Sequence, residues 1–390
     1  MEWITRPLGE ITSYMAKGIP PKYTEEETEN TVRVLNQKCN RNFTISYADS
    51  RIHDCTQKKV PGDKLLKKGD VLINSTGTGT AGRVAQMMEI PIPTTIDGHM
   101  ILLRPSKEMD EFYYGYAVKA HQAQIETLAE GSTGQTEINR NRLQTEVMIT
   151  YPENKKVQAG IASFLWDIDR KIEANNKINE NLQQQALALF ANYYEQSNTE
   201  VAFTDLIQIL GGGTPKTGES KYWNGNIPFF TPKDVGSPYT LATEKTITED
   251  GLSHCNSRLY PANTVFVTAR GTVGKIGLAG VPMAMNQSCY ALAGKNLHQL
   301  LVYFYTLKAV DRLKHKASGA VFDAIITRDF ETEQVFKLSE DDTNTFIKIA
   351  EPMYQSILNN SVENQRLVAL RDSLLPKLMS GEIDVSGISI

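Results

Sequence analysis

The sequence predicts an α+β protein with two pseudo-symmetric mixed α/β domains, each followed by a long helix. The first observation is an internal repeat, in which segments of the first half recur in the same order in the second half. The second is a pair of long stretches with apolar residues at coiled-coil spacing. The third is that each half contains short β-rich runs among Gly, Pro, Thr and Asn. Two similar units on one chain indicate two similar tasks, related by a pseudo-two-fold axis.

The repeat is carried by four pairs of segments whose offset shrinks slowly along the chain. The pairs and their offsets are Gly18–Pro20 with Gly213–Pro215 (195), Gly79 with Gly271 (192), Thr95–Asp97 with Ala284–Asn286 (189), and Ile172–Leu182 with Ile357–Leu367 (185). A duplication followed by a few deletions leaves this pattern. The period is far too long for a solenoid, so it indicates duplicated domains.

Composition bounds the class of protein. The chain has 390 residues, 41% apolar and 22% charged, which is ordinary for globular domains and long enough for two or three of them. It contains neither a membrane-spanning apolar run nor a signal peptide, so we expect a cytoplasmic protein with no membrane partner. Four scattered cysteines and six dispersed histidines predict no metal site. The net charge of −4 is unlike an autonomous nucleic-acid binder, but it suits one that acts with more basic partners.

The predicted boundaries follow the repeat. They are a first domain at 1–151, a spacer helix at 152–198, a second domain at 199–339, and a C-terminal spacer helix with a tail at 340–390. Each domain contains a β-rich run (70–74 or 264–268), then an aromatic helical stretch (112–116 or 303–305), and then a polar loop (130–135 or 317–320).

The two long helices carry matched seams. In the second helix we expect the apolar stripe to consist of Phe346, Ile349, Met353, Ile357, Leu367, Leu370 and Leu374. The seam residues that we expect to set register or dock a partner are Ile172, Asn175, Asn179 and Leu182 in the first helix and Ile357, Asn360, Asn364 and Leu367 in the second. Asn in a coiled-coil seam costs stability but fixes register and partner. Two amphipathic helices packed on their own domains would be the simpler interpretation, whereas the matched Asn positions favour helices packed on each other. Forty-one helical residues span ~60 Å, which suits a spacer.

A glycine-rich segment, Gly77–Gly82, satisfies the Gly-x-Gly-x-x-Gly pattern of dinucleotide sites. Such a site needs a helix next, and the segment that follows is too short before Pro91 and Pro93. Its counterpart, Arg270–Lys275, keeps the glycines but loses the pattern. We therefore interpret both as turns between strands.

These turns carry basic and hydroxyl side chains. Glycine lets the backbone approach a surface closely, Arg and Lys contact phosphate or guanine, and Thr contacts either phosphate or base. An ordinary solvated hairpin would have the same composition. A second candidate surface is the segment Lys221–Asn226 with Lys216 and Lys233, in which Trp223 is more readily explained as an aromatic plug under a loop.

The catalytic motifs that we sought are missing from the sequence. There is neither a P-loop nor a Gly-x-Ser-x-Gly elbow, and the duplicated segments share no pair of carboxylates, no His and no Cys. A duplicated enzyme would keep a reactive group in both halves, so we predict no catalytic residue.

Four blocks carry a resemblance to a known family. They are Leu210–Pro215, Tyr222–Val235, Gly271–Lys275 and Leu374–Ile383 with the two spacer helices. On these residues the chain resembles the DNA-specificity (S) subunit of type I restriction–modification systems over essentially its full length. The first half departs from the pattern, since Gly18–Pro21 is a degraded version of the Gly-Gly-Thr-Pro block and Val32–Gln37 replaces Ile227–Pro232. Halves that read different sequences would diverge in this way.

The resemblance implies two target-recognition domains separated by the two helices, which would form an antiparallel coiled coil. Each domain would read one half of a bipartite, asymmetric site in double-stranded DNA. The subunit itself would be non-catalytic and would work in the cytoplasm of a prokaryote. Two modification (methyltransferase) subunits would dock on the helices and methylate adenine at N6 with S-adenosylmethionine. Restriction subunits would use ATP and Mg²⁺ to translocate and cut the DNA.

The DNA contacts that we predict come from turn position and chemistry. They are Thr78, Thr80 and Arg83 in the first domain and Lys216, Lys233, Arg270, Thr272 and Lys275 in the second. Two alternatives stay open at this point. One is a scaffold built from a duplicated interaction module that does not read DNA, and the other is an enzyme that uses the glycine-rich turn.

Overall fold

A computed structural model describes residues 2–131, 136–236, 238–316, 324–383 and 385 of the chain. Of the predicted polar loops, residues 132–135 and 317–320 lie outside these ranges. The chain forms two compact units, Met1–Arg170 with Leu367–Ile390 and Lys171–Arg366. Each unit therefore combines one globular domain with parts of both long helices, whereas the sequence-based boundaries set the helices apart.

The first domain consists of short strands and three short helices. Its strands are β1 (Trp3–Pro7), β2 (Thr12–Lys17), β3 (Tyr23–Thr24), β4 (Thr31–Leu35), β5 (Asn40–Arg41), β6 (Thr44–Ile45), β7 (Arg51–Asp54), β8 (Val71–Asn74), β9 (Val84–Gln86), β10 (Thr94–Ile96), β11 (Met100–Pro105), β12 (Ala129–Glu130), β13 (Glu137–Ile138) and β14 (Met148–Pro152). Its helices are α1 (Glu111–Ala120), α2 (Gln122–Thr127) and α3 (Arg140–Glu146), and the long helix α4 (Lys155–Gln196) follows.

The second domain has a similar content. Its strands are β15 (Thr199–Ala202), β16 (Ile207–Gly211), β17 (Trp223–Phe230), β18 (Tyr239–Thr240), β19 (Lys245–Ile247), β20 (Val265–Thr268), β21 (Ile276–Ala279), β22 (Ala284–Met285), β23 (Cys289–Gly294) and β24 (Gln334–Lys337). Its helices are α5 (Phe203–Leu206), α6 (Glu249–Ser253), α7 (Gln299–Lys316) and α8 (Thr327–Glu331), followed by the long helix α9 (Glu340–Ser380). Short 3₁₀ turns lie at Gln37–Cys39, Gly62–Lys64 and Ser220–Tyr222.

The two domains share a topology. A central antiparallel sheet has the order β2-β11-β8-β9 in the first and β16-β23-β20-β21 in the second, where β18 extends it. A second sheet contains one parallel pair in each domain, β4 with β10 and β17 with β22. The strand that opens each domain pairs with the strand that closes it, β1 with β14 and β15 with β24. The duplication inferred from sequence is thus present in the strand pairing.

The ends of α9 show why this helix forms where it does. The hydroxyl of Ser339 accepts a hydrogen bond from the backbone N–H of Asp342 (3.1 Å), which caps the first turn. Glu340 and Asp341 place negative charge at the same end, where the helix dipole favours it. Gly381, with φ of 77°, stands after the last turn, a position that favours glycine.

Both long helices contribute to both cores. In the first unit, the start of α4 (Ile161, Leu165) and the end of α9 (Leu375, Leu378) join the buried core of the first domain. In the second unit, the end of α4 and the start of α9 join the other core, through Phe190, Phe346 and Tyr354 among others. The interpretation in which the helices pack only on their own domains is therefore wrong, because each core receives segments of both helices.

The middle of each helix packs on the other helix with antiparallel polarity. Within the second unit, Asn175 pairs with Asn364 and Asn179 with Asn360, so the residue number rises along one helix as it falls along the other. The long helices therefore form the expected antiparallel coiled coil. No described helix is both long enough and apolar enough to cross a membrane.

The apolar stripe of α9 departs from the sequence prediction at its ends. Ile349 and Leu370, which continue the heptad pattern, are exposed by 40% and 46%, while the adjacent Ala350 and Arg371 are buried. A straight α-helix drifts about 20° per heptad relative to a strict 3.5-residue repeat. This drift is much smaller than the roughly 100° between neighbouring residues, so packing on the domain cores, as at Ala350, sets the buried face at these ends.

Candidate nucleic-acid interface

The two glycine-rich turns are hairpins with the same backbone frame. In the first domain, the N–H of Gly82 donates to the carbonyl oxygen of Asn74 (2.9 Å), and the N–H of Asn74 donates to that of Arg83 (3.0 Å). In the second domain, the N–H of Gly274 donates to the carbonyl oxygen of Thr268 (2.8 Å), and the N–H of Thr268 donates to that of Lys275 (2.9 Å). Arg83 and Lys275 thus occupy equivalent positions, as the offset of 192 predicts. Each turn links two antiparallel strands and is not followed by a helix. Because a dinucleotide-binding fold needs a helix directly after its glycine-rich turn, that fold is excluded.

Glycine is required at matched points of both turns. Gly79 and Gly82 have φ of 71° and 88°, and Gly271 and Gly274 have φ of 81° and 73°. Residues with a Cβ rarely adopt this left-handed conformation. No protein atom lies within 4 Å of an ideal Cβ at Gly79 or Gly271, so the turn tips face open space. Such tips can approach another surface closely.

The predicted contacts of the first turn differ in exposure. Thr78 is exposed, while Thr80 and Arg83 are half-buried. Nη2 of Arg83 donates to the carbonyl oxygen of Gly79 (2.9 Å), so the guanidinium folds back over its own turn. A guanidinium carries five N–H donors, which allows one to brace the turn while others meet a ligand.

The second turn lies beside other loops that carry predicted contacts. Arg270, Thr272 and Lys275 are all exposed. The hydroxyl of Thr272 donates to the carbonyl oxygen of Pro232 (3.3 Å), which places the turn next to Lys233. The structure therefore brings these side chains of the second domain to neighbouring loops, with cations exposed at their tips.

The segment around Trp223 has a mixed role. The indole Nε1 donates to the carbonyl oxygen of Lys216 (3.2 Å), and the ring packs edge-on against Phe229 with centroids 5.5 Å apart. These contacts support the interpretation of Trp223 as a plug under a loop. Lys216 itself is exposed. The side chain of Lys233 is 80% exposed, and its Nζ lies 3.8 Å from Oε2 of Glu244.

A second loop, not predicted from sequence, borders each turn. The N–H of His99 donates to Oδ1 of Asp97 (2.9 Å), and the N–H of Ser288 donates to Oδ1 of Asn286 (3.0 Å). Burial raises the pKa of the Asp97 carboxyl, whereas its counterpart Asn286 is neutral. The signal available in the sequence was the recurrence of 95–97 at 284–286, which marks the strand but not the exposed residue two positions later.

The neighbouring glycine shows that the sequence-based offset was wrong by one residue at this point. An ideal Cβ on Gly18 would collide with the carbonyl oxygens of Ile96 and Asp97, and one on Gly212 would collide with those of Met285 and Asn286. Gly18 therefore corresponds to Gly212, at an offset of 194, rather than to Gly213. Pro20 matches Pro215 only at an offset of 195, so the sequence favoured the wrong alignment among the adjacent glycines.

The turns rest on helices of opposite charge. An ideal Cβ on Gly82 would lie 2.7 Å from Cα of Glu126 in α2, and one on Gly274 would lie 2.6 Å from Cε of Lys314 in α7. Lys314 belongs to a basic last turn that also includes His315 and Lys316. The surface of the second domain thus has an additional cation beside Lys275 that we did not predict.

Of the predicted coiled-coil residues, the four Asn side chains bond between α4 and α9, and Leu182 and Ile357 pack in the core of the second unit. Asn175 and Asn179 are 1% and 8% exposed, Ile357 is fully buried, and Ile172, Leu182 and Leu367 are half-buried. Asn360 and Asn364 are also half-buried and complete the Asn pairs. The seam is therefore polar at its centre and apolar towards each domain.

The cysteines have no arrangement that favours nucleophilic chemistry. All four are free, and burial raises the pKa of Cys289 to about 12 and also raises that of Cys39. A protonated thiol is a poor nucleophile. Among the residues that the structure describes, no three His, Cys, Asp or Glu side chains form a group that could hold a metal ion.

Comparisons with known proteins agree with this geometry. The model of the family described as the type I restriction modification DNA specificity domain matches residues 1–184 and 196–336. The HindI specificity subunit of Haemophilus influenzae is 21% identical over 412 aligned positions, which cover 84% of this chain and 89% of that subunit. The MjaIX specificity subunit of Methanocaldococcus jannaschii is 32% identical over 124 aligned residues, but this alignment covers only 30% of this chain and 29% of that subunit.

A solved structure supports the same fold. The type I restriction–modification S subunit from M. genitalium matches with a TM-score of 0.60 at 17% identity, covering 99% of this chain and 97% of that one. A scaffold that does not read DNA is set aside, because the matched family is defined by DNA specificity. The family match covers most of both halves, and the chain belongs to the DNA-specificity family of type I restriction–modification systems.

Proposed function

We propose that this chain recognises a bipartite, asymmetric site in double-stranded DNA, with one half-site contacted by each domain. The observation that carries the proposal is the pair of hairpins at Asn74–Arg83 and Thr268–Lys275, which share backbone hydrogen bonds but present different side chains. A duplicated frame with divergent side chains suits two readers of unlike sequences. The predicted contacts are Thr78, Thr80 and Arg83 for one half-site and Lys216, Lys233, Arg270, Thr272 and Lys275 for the other.

The chemistry of the complex would belong to partner subunits. Two modification subunits would methylate adenine at N6 with S-adenosylmethionine, and restriction subunits would supply ATP- and Mg²⁺-dependent cleavage. This chain would select the site and would work in the cytoplasm, where chromosomal DNA is found. A subunit with a net charge of −4 needs cationic partners to hold DNA strongly, which supports an assembled complex as the binding form.

The seam residues would also serve the assembly. Asn175, Asn179, Asn360 and Asn364 fix the antiparallel register, and the flanking Ile172, Leu182, Ile357 and Leu367 would stabilise the coil on which modification subunits dock. A fixed register would keep the number of base pairs between the half-sites constant.

The decisive experiment is detection of methylated adenine across the host genome, with and without this gene. Loss of methylation at one bipartite motif on deletion, and its return on complementation, would establish both the function and the target. Unchanged methylation in a host that expresses the complete complex would contradict the proposal. Purified complex containing this chain should also bind the identified motif more tightly than a scrambled one.

A further inference from the structure

The position of Thr76 in the first domain is equivalent to that of Arg270 in the second. The N–H groups of Ser75 and Ala269, the preceding residues, each donate at 2.8 Å to the carbonyl oxygens of His99 and Ser288, respectively. The carbonyl oxygens of these two residues also accept from a later segment of each domain, from the N–H of Ile138 at 2.7 Å and from the N–H of Ile325 at 2.9 Å. The two backbone hydrogen bonds of the first domain thus match the two of the second. Thr76 and Arg270 are therefore structurally equivalent, and so are His99 and Ser288.

A third position belongs to the same frame. The carbonyl oxygen of Leu35 accepts from the N–H of Asp97 (3.0 Å), and that of Phe230 accepts from the N–H of Asn286 (3.0 Å). Leu35 and Phe230 are therefore equivalent, and two residues later Gln37 corresponds to Pro232. The frame thus places three side chains of each domain together at the base of the glycine-rich turn.

In the first domain these three side chains form a hydrogen-bonded relay. Nε2 of Gln37 donates to the hydroxyl oxygen of Thr76, and that hydroxyl lies 3.1 Å from Nδ1 of His99. Because Thr76 accepts from the amide, its own proton is free to point at Nδ1. The relay therefore orients the His99 ring so that Nδ1 accepts from Thr76 and Nε2 carries the outward N–H, and His99 is exposed.

In the second domain the same three points have different chemistry. Arg270 replaces Thr76, Ser288 replaces His99, and Pro232, which has no side-chain donor, replaces Gln37. The first domain thus presents one oriented N–H donor of an imidazole ring, while the second presents a guanidinium able to bond two acceptors at once. A shared backbone frame with unlike donors is what two base-reading sites with different preferences require.

We propose that Gln37, Thr76 and His99 form the base-reading cluster of the first domain. The Nε2–H of His99 would donate to an acceptor on a base edge, such as a purine N7, guanine O6 or thymine O4. Thr76 and Gln37 would act as positioning residues that set the tautomer and the direction of the ring. This inference rests on the proposed function, since it names the side chains by which one half-site would be selected.

The test uses the complex assembled from this chain and its modification subunits. Affinity is measured for the cognate duplex and for duplexes with each base pair substituted in turn. With His99→Ala we expect discrimination to fall roughly tenfold at one base pair, in one half-site alone. Gln37→Leu should lower discrimination at that same base pair while the other half-site is still read normally. Arg270→Ala should lose discrimination in the opposite half-site.

Ser288→Ala is the matched control, because it removes a side chain from the equivalent point of the second domain and should leave the first domain's half-site unaffected. An equal loss of affinity of His99→Ala for all duplexes would indicate a phosphate or folding role and overturn the proposal. Unchanged discrimination, or a loss in both half-sites, would also overturn it. If the unsubstituted complex showed no preference for its cognate duplex, the proposed function itself would fail, which is a distinguishable result.

Discussion

Asn175 donates from Nδ2 to Oδ1 of Asn364 at 2.8 Å, at the centre of the contact between α4 and α9. Asn360, the repeat counterpart of Asn175, donates to Oδ1 of Asn179 at the same distance. Each pair therefore joins the first Asn of one helix to the second Asn of the other. This reciprocity is what the antiparallel pairing of two helices with a repeated sequence produces.

The first prediction concerns this polar seam. Asn175→Ala leaves Oδ1 of the half-buried Asn364 without its donor, and we expect the free energy of unfolding to fall by about 1–3 kcal/mol. Urea unfolding of the full-length chain, followed by circular dichroism, measures the change. Asn181→Ala, on the exposed face of the same helix, is the control and should stay within about 0.5 kcal/mol. Equal effects of the two substitutions would show that the pair does not stabilise the seam.

A second prediction concerns the ion pair between the helices in the first unit. Nη1 of Arg371 donates to Oδ1 of Asp169 (2.6 Å), and the hydroxyl of Tyr116 donates to Oδ2 of the same carboxylate (2.6 Å). The side chains of Arg371 and Asp169 are only 9% and 16% exposed. Because removing one partner leaves a buried charge, Asp169→Ala should cost about 3–5 kcal/mol.

The neighbouring Asp372 supplies a matched control for that substitution. It also bonds Arg371, at 2.8 Å, but its side chain is 54% exposed. Asp372→Ala should therefore cost at most about 1 kcal/mol. If the two aspartates proved equally important in denaturant unfolding, burial would not be the factor that sets the strength of this pair.

Much of this architecture could be predicted from the sequence, because it depends on local patterns. The glycines of the turns and the matched Asn positions predicted the hairpins, the duplication and the seam. The cluster of Gln37, Thr76 and His99 could not be found, since its members are far apart along the chain and meet only through two strand pairings, β4 with β10 and β8 with β11. The exposure of Ile349 and Leu370 was missed because the seam pattern was extended to segments where domain packing selects the buried face.

The third prediction is a pH dependence from Lys119. Burial, followed by the charge of Arg371, lowers the pKa of this lysine to about 8, against the opposing influence of Asp372 and Asp169. Between this pKa and the ordinary value near 10.5, the unfolded chain binds more protons than the folded chain, so stability rises with pH across that window. Below pH 8 the cost of the desolvated charge is fully present.

Lys119→Met should therefore stabilise the protein most at pH 7, and the difference from the unsubstituted chain should shrink towards pH 10. Urea midpoints at both pH values measure this change. Lys348→Met, at an exposed site on α9, is the control for replacing a surface lysine with methionine. A Lys119→Met effect that was constant across the range would contradict the lowered pKa.

A fourth prediction compares two adjacent glycines. Gly212→Ala would place a methyl group against the carbonyl oxygens of Met285 and Asn286, and we expect a loss of about 1–3 kcal/mol as the strand is displaced. At Gly211 no protein atom lies within 4 Å of the added carbon, so Gly211→Ala should be nearly neutral. Thermal unfolding of the two variants, which have the same composition, isolates the steric effect. A similar loss in both would mean that backbone flexibility, not close approach, accounts for the glycine at 212.

The last prediction concerns Lys275 and Arg83, which occupy equivalent points after the last glycine of each turn. If each contacts a phosphate, replacing one with Ala should weaken binding of the assembled complex to all DNA sequences by a similar factor. The slope of log K, where K is the association constant, against the logarithm of the salt concentration is negative, and its magnitude should decrease by about 1. Affinities measured by fluorescence anisotropy at several salt concentrations, on cognate and scrambled duplexes, give both quantities.

Arg83→Ala should show the larger loss of affinity, because the Arg83 guanidinium also stabilises the turn through its hydrogen bond to the carbonyl oxygen of Gly79. Lys348→Ala is the control for a general change in charge. An unchanged slope for Lys275→Ala would remove this lysine from the interface, and a loss confined to the cognate duplex would assign it to base reading instead.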